Sequence, residues 1–440
     1  MFVAAMKNTN IVIIVIAVII TASLFIVPGL FEEKKVFNSK PIVEISYPNT
    51  GDIFSKFVTI SGTATDPNGD QTIKKVEILL NETWIEVEGT TVWKYTWSVF
   101  GIQDGYYTIL VRAWDGAVYS EIDDVKIEIH NPEIVVSDAH KWAVFIVASN
   151  FPEDNESKLG NGGLYFAEEM AEYFIESYDY PTSNIVILFD DGWVRSDNGF
   201  GEPIQSLQQR YHKYDITYEG ATRQNVETVL KHIVNESNMF DDSEVFVYVS
   251  SHGCGDDSNS ITGGKVLERS GIFLWDEDIL TDKELGDLLS NLNSEKTCVL
   301  VDACFSGGFA DKTIFNFKEF FLYKSGLAKK GRVVITGTSK FRLGYASVLY
   351  GPLFSNIWFE GIKSGAADGF RPGLLNSGKP SRLSRFYDGE VSVEEAFYYA
   401  RYVLKNDANF EDYNKMEPQI NDMYPRKGLL LNNKGLILGE

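Results

Sequence analysis

Short stretches of alternating apolar and polar residues occupy the chain between about residues 41 and 131. Ile42-Val43-Glu44-Ile45 comes first, and residues 57–62, 75–79, 92–97, 106–115 and 125–129 repeat the period of two. That period marks strands with one buried face. Turn residues separate them, notably Asp66-Pro67-Asn68-Gly69-Asp70. The spacing predicts a small all-β sandwich over residues 41–131. From about residue 139 the rhythm changes. Residues 142–148, 185–189, 245–249, 298–301 and 333–335 are nearly continuous apolar runs, as in parallel strands buried on both faces. Residues 165–178 are amphipathic, and Val226, Val229, Leu230 and Ile233 share a helical face. Thr281 and Glu284 form a capping box before Leu285, Leu288, Leu289 and Leu292. This alternation predicts an α/β domain over residues 139–432, an open and mostly parallel sheet sandwiched by helices. In such sheets sites lie beyond the carboxyl ends of the strands.

Residues 8–31 carry no charge, and residues 11–20 are almost entirely Ile, Val and Ala. A run of this length matches the hydrocarbon thickness of a bilayer. Residues 1–35 read as a transmembrane signal-anchor, or as a signal peptide cut near Thr21-Ala22-Ser23; the long apolar core favours the anchor. Positive charges flank both ends and hardly fix orientation. The all-β module that follows, and the sequons at Asn81, Asn155 and Asn235, favour an extracellular soluble part, membrane-held or secreted. The module itself reads as a spacer, with a cell-surface partner as the other use.

A net charge of −22 over 440 residues argues against a nucleic-acid partner. The three cysteines, Cys254, Cys298 and Cys304, form neither a disulfide framework nor a zinc motif. No cofactor is expected. Asp66–Asp70 and Asp388-Gly389-Glu390 could serve Ca²⁺, although a turn and a plain helix start explain them more simply. Cys298 falls in mid-strand and reads as core, and Cys254 as an inert loop thiol. His130, His140, His212 and His232 show no paired spacing and read as surface residues.

Two strand ends carry the chemistry. The third apolar run leads into Ser250-Ser251-His252-Gly253-Cys254-Gly255, and the fourth into Asp302-Ala303-Cys304-Phe305-Ser306-Gly307-Gly308. A thiolate, a neighbouring imidazole and main-chain oxyanion donors are what cysteine hydrolysis needs. The N–H groups of Gly253 and Cys304 are candidates for those donors.

A strand ending in His-Gly, then some 50 residues later a strand ending in Asp-Ala-Cys-x-Ser-Gly, resembles the caspase/legumain group of cysteine peptidases. The block order, including Gly220-Ala-Thr-Arg-Gln-Asn-Val and Val334-Ile-Thr-Gly-Thr-Ser339, is nearest to the legumain-like branch. Residues 41–131 resemble bacterial and archaeal Ig-like modules, chiefly through the Gly-x-Tyr-x-Ile-x-Val-x-Ala-x-Asp rhythm of residues 105–115. The resemblance implies a caspase-like fold and a membrane-anchored or exported endopeptidase working through a thioester. It implies His252 as general base and acid, Cys304 as nucleophile, and Gly253 and Cys304 as the oxyanion hole. Asp302, Ser306, Thr338 and Ser339 would contact a protein or peptide substrate. The arginine that follows the first strand in legumains is absent from Ser149-Asn150-Phe151-Pro152-Glu153-Asp154, and an acidic pocket without it suits Arg or Lys. Residues 370–386, with Arg371, Lys379, Arg382 and Arg385, read as an exposed loop open to self-processing. A transpeptidase of the same fold is the enzymatic alternative, and a catalytically dead surface adhesion protein the other.

Overall fold

The computed structural model describes residues 38–80, 82–151, 158–255, 270–311, 325–372, 380–425 and 434–440. The apolar N-terminal segment, the sequons at Asn81 and Asn155, residues 152–154 and Lys379 lie outside the described residues. Among the described residues, no helix is long and apolar enough to cross a membrane.

The chain forms two compact units. The β-module is built from two sheets. One orders Ile42–Tyr47, Phe57–Thr65, Val92–Ser98 and Glu88–Gly89; the other orders Ile53–Phe54, Asp123–Ile129, Gly105–Trp114, Lys75–Leu80 and Thr83–Glu86. The period of two becomes burial: Val58, Ile60 and Ala64 are buried along one strand, and Ile109, Val111 and Ala113 along another. The Asp66 carboxylate closes its own turn, accepting from the Asn68 N–H (2.7 Å) and the Thr72 hydroxyl (2.6 Å).

The second unit is organised by a seven-stranded sheet. Its strands are β1 (Lys141–Val147), β2 (Ile185–Phe189), β3 (Thr217–Glu219), β4 (Glu244–Ser250), β5 (Lys296–Asp302), β6 (Arg332–Thr336) and β7 (Gln419–Asp422). They are ordered β3-β2-β1-β4-β5-β6-β7. All neighbours are parallel except β6 and β7, which pair antiparallel. The principal helices are α1 (Gly162–Tyr178), α2 (Arg223–Ser237), α3 (Asp282–Leu288), α4 (Leu353–Lys363) and α5 (Val393–Asn406).

Continuous apolar strands need cover on both faces, and two separate cores supply it. Ala143, Phe145 and Val147 of β1 pack with Met170 and Phe174 of α1 and with Phe354 and Trp358 of α4. Trp142, Val144 and Ile146 face the other way, toward Val226 and Leu230 of α2 and Leu285 of α3. The capping box forms at Thr281 and Glu284 as expected. The helix it starts ends at Leu288, and the buried Arg332 guanidinium takes the carbonyls of Leu289 and Leu292 (both 2.8 Å).

Several expectations need correction. His212 is 7% exposed and stacked on Tyr218, with ring centroids 3.8 Å apart. It adjoins Glu168, which burial works to raise but which His212 and Arg210 together hold below its ordinary value. Cys254 is a buried strand residue in the apolar core. Arg371 is buried and ion-paired to Glu395 (2.8 Å), so the 370–386 segment is not uniformly exposed. The core also continues past residue 432. Leu436 and Leu438 belong to it, tied by N–H bonds from Leu436 to the buried Glu394 (2.9 Å) and from Gly439 to Glu244 (2.9 Å).

Candidate active site

Strand order reverses between β1 and β4, which opens a crevice at their carboxyl ends. The polar tips of β4 and β5 leave the sheet beside it. The two strands pair in register, Ser250 opposite Asp302, so His252 and Cys304 each stand two residues beyond a paired position. Both line one cavity of about 70 Å³, with Ser251, Asp302, Gly344 and Tyr345 among its other walls. Geometry thus joins the two half-motifs.

The tips approach through their backbones. A Cβ placed on Gly253 would stand 1.9 Å from the Cys304 carbonyl oxygen, so only glycine fits there without movement. Beyond Gly253 the chain continues as Gly253–Gly255, which pairs antiparallel with Ser270–Phe273. The His252 carbonyl accepts the Phe273 N–H (3.0 Å), and its ring lies 5.6 Å from that of Phe151.

The sulfur sits among main-chain donors. The Gly344 N–H donates to Cys304 Sγ (3.2 Å). Burial pushes the Cys304 thiol up, and the Gly344 N–H pulls it back; Asp302 adds to the rise, while the N–H groups of Cys304 and Gly253 oppose it. The net direction is upward, since burial disfavours the charged thiolate.

The turn that carries Cys304 is braced from behind. Phe305 adopts φ 58°, an uncommon left-handed conformation for a bulky side chain. Its N–H donates to the Arg342 carbonyl (2.8 Å). The Thr338 hydroxyl donates to the Ala303 carbonyl (2.8 Å) and accepts the Ser306 N–H (3.1 Å). Ser306 and Thr338 are wholly buried, and their hydroxyls lie 3.1 Å apart. The Ser339 hydroxyl turns to Glu417 (3.2 Å). The Ser306 and Thr338 hydroxyls are thus engaged within the loop, and that of Ser339 with Glu417 outside it.

Asp302 does line the cavity, with its carboxylate also engaged. Oδ2 accepts the N–H (2.9 Å) and hydroxyl (2.8 Å) of Ser355, in the first turn of α4. Burial pushes this carboxyl up to about 6, against the pull of both Ser355 donors. Gly344, Tyr345 and Ser355 carry no motif of their own in the sequence. The one signal is the glycine of Phe341-Arg342-Leu343-Gly344-Tyr345, five residues past Ser339. Among the described residues, no group of three or more His, Cys, Asp or Glu could hold a metal ion.

A mostly parallel sheet with this strand order, whose neighbouring strands end in His-Gly and in Asp-Ala-Cys about one cavity, defines a caspase-like domain. Residues 140–349 match the family model for the caspase domain, a family of cysteine peptidases, and residues 41–111 match that for a bacterial Ig domain. The chain thus carries a caspase-like peptidase domain preceded by an Ig-like module. No curated protein matches it.

Among solved structures, caspase-1 from Spodoptera frugiperda is 9% identical, with a TM-score of 0.37 over 66% of this chain and 90% of its own. The fibronectin(III)-like modules of Clostridium thermocellum CbhA are 27% identical over 21% of this chain, with a TM-score of 0.18. An endo-beta-1,4-mannanase from Thermotoga petrophila is 16% identical over 21%, with a TM-score of 0.19. The match spans 47% of the CbhA chain and 20% of the mannanase.

Proposed function

We propose that the chain is a cysteine endopeptidase in which Cys304 is the nucleophile and His252 the general base and acid. The observation that carries this is the cavity that His252 and Cys304 both line, where the N–H groups of Gly253 and Cys304 meet the Cys304 sulfur. His252 takes the thiol proton, and the sulfur attacks the scissile carbonyl carbon to form a C–S bond. The carbonyl oxygen, now negative, is held by the Gly253 and Cys304 N–H groups. The C–N bond breaks as the imidazolium returns its proton to the leaving amine. Water, deprotonated by the same imidazole, then hydrolyses the thioester.

Specificity follows from the cavity wall. Asp302 supplies negative charge above pH 6, which favours Arg or Lys before the scissile bond over the Asn of legumains. We place the enzyme at the cell membrane through its N-terminal segment, or secreted after cleavage of that segment. Its soluble part would face outward, with the Ig-like module as spacer or contact to a surface partner. Protein or peptide is the substrate, and no cofactor enters the chemistry. A transpeptidase would share every step up to the thioester and then use an amine in place of water.

The test is direct. A cysteine-directed peptide probe should label the wild type and leave Cys304→Ala unlabelled, and a peptide library should yield cuts after Arg or Lys that need both Cys304 and His252. Cys304-dependent cuts after Asn alone would move the specificity to the legumain type. Library peptides joined to an added amine would identify the transpeptidase. A wild type that takes no label is a dead adhesion protein.

A further inference from the structure

At the carboxyl ends of β1 and β2 stands a buried carboxylate that the mechanism above does not use. Asp190 follows β2 and is 0% exposed, with φ at 42°, in the left-handed region where a residue other than glycine is uncommon. Such strain persists only where surrounding bonds enforce it. They do so here. The Asp190 N–H donates to the Val147 carbonyl (3.1 Å), and its own carbonyl accepts the Ala221 N–H (2.7 Å).

Its carboxylate serves the chain just after β1. Oδ1 accepts the N–H groups of Ser149 (2.6 Å) and Asn150 (3.2 Å), and Oδ2 accepts the Asn150 side-chain amide (2.6 Å). Three donors from two consecutive residues thus converge on one side chain. The charged groups nearby are Arg195, 3.8 Å from Oδ2, and Asp191, which binds the same guanidinium at 2.8 and 3.0 Å.

The next residue is Phe151, 2% exposed. Its ring lies 5.6 Å from the His252 imidazole at an interplanar angle of 38°, and 6.2 Å from Phe273. An imidazole on two rotatable bonds has several staggered wells, and a fixed aromatic wall removes those that swing into it.

We propose that Asp190 is a positioning residue for His252: its carboxylate locks the Ser149–Asn150 turn, which holds the Phe151 ring against the imidazole and keeps that imidazole directed to Cys304. The inference rests on the peptidase reading of the dyad. Burial pushes Asp190 up to about 7, against the pull of the Ser149 and Asn150 donors and of Arg195. Protonation below that pH removes acceptor capacity from the turn, so the clamp is strongest above neutrality.

The experiment uses the whole chain as wild type, Asp190→Asn, Asp190→Glu, Phe151→Leu and Cys304→Ala. Two quantities are read: the pH profile of Cys304 alkylation by iodoacetamide, and kcat and KM on the best library peptide. Asp190→Asn keeps the shape but puts an NH₂ where one of the donors must be met. It should lower kcat about 10- to 100-fold with little change in KM and move the acid limb of the alkylation profile. Phe151→Leu should act in the same direction, and Asp190→Glu should restore part of the rate. A folded Asp190→Asn or Phe151→Leu with wild-type kcat and an unmoved profile overturns the proposal. Should Asp190→Asn not fold, Phe151→Leu decides alone. Wild-type protein without Cys304-dependent alkylation or cleavage overturns the peptidase reading itself, and this inference with it.

Discussion

Gly253 and Cys304 are in backbone contact: the missing Cβ of the glycine is the space occupied by the cysteine carbonyl oxygen, 1.9 Å from where that carbon would be. The contact brings the Gly253 N–H to the sulfur, because the two strand tips can close no further with any larger residue between them. Gly253→Ala should therefore push the tips apart. We expect loss of probe labelling and a stability loss of about 1–3 kcal/mol, read from a urea transition. Full labelling in Gly253→Ala would mean that the donor is not needed at this distance.

The three cysteines should separate cleanly by burial and surroundings. Cys298 is 0% exposed within the apolar core, so Cys298→Ser buries a hydroxyl there and should cost about 1–3 kcal/mol. Its kcat should stay within a small factor of wild type. Cys254→Ala should keep activity as well, whereas Cys304→Ala should abolish it. Peptide cleavage and thermal melts on the same preparations check all three.

Asp302 should make stability depend on pH. Its carboxyl titrates near 6 in the folded chain, above the ordinary aspartate value of 3.8. The folded state therefore holds this proton more tightly than the unfolded one. The associated stability is present below about pH 4, is lost as pH rises through about 6, and is flat above that. Asp302→Asn should lack this loss, so the wild-type minus variant difference should change by about 3 kcal/mol across the window. Denaturant midpoints at pH 4, 5, 6 and 7 measure it; a constant difference would contradict the assignment.

Thr338 braces the cysteine turn through Ala303 and Ser306. Thr338→Val keeps its volume but leaves the buried Ser306 N–H and Ala303 carbonyl without that partner. A loss of about 1–3 kcal/mol should follow, together with a lower kcat. Ser339→Ala, which gives up one bond to Glu417, should change either quantity far less.

Most of the sheet was legible because strands buried on both faces leave apolar runs. The 185–189 run is β2 residue for residue, and β1, β4, β5 and β6 differ from their runs by one or two residues at each end. Edge strands were less visible: β3 is three residues long, and β7 has every residue only half-buried, so neither carries a continuous apolar signal. His252 and Cys304 stand out as candidates in the sequence because each is a polar tip on a central strand. Asp190 does not, because an acidic pair before glycine looks like any surface turn until its three N–H donors, some 40 residues earlier, are seen. The bonding of Ser306 and Thr338 was hidden for a related reason: a hydroxyl in a site motif can face the cavity or the loop behind it, and sequence does not give the direction.

The in-register pairing of Ser250 with Asp302 has a consequence for engineering. Inserting or deleting one residue inside β4 or β5 would reverse the pleat on one side of the pair and turn a single catalytic group away from its counterpart, even if both hydrophobic layers repacked. Extra chain grafted at the connections between elements leaves that count intact. Libraries of loop-length variants should thus retain turnover far more often than libraries of strand indels.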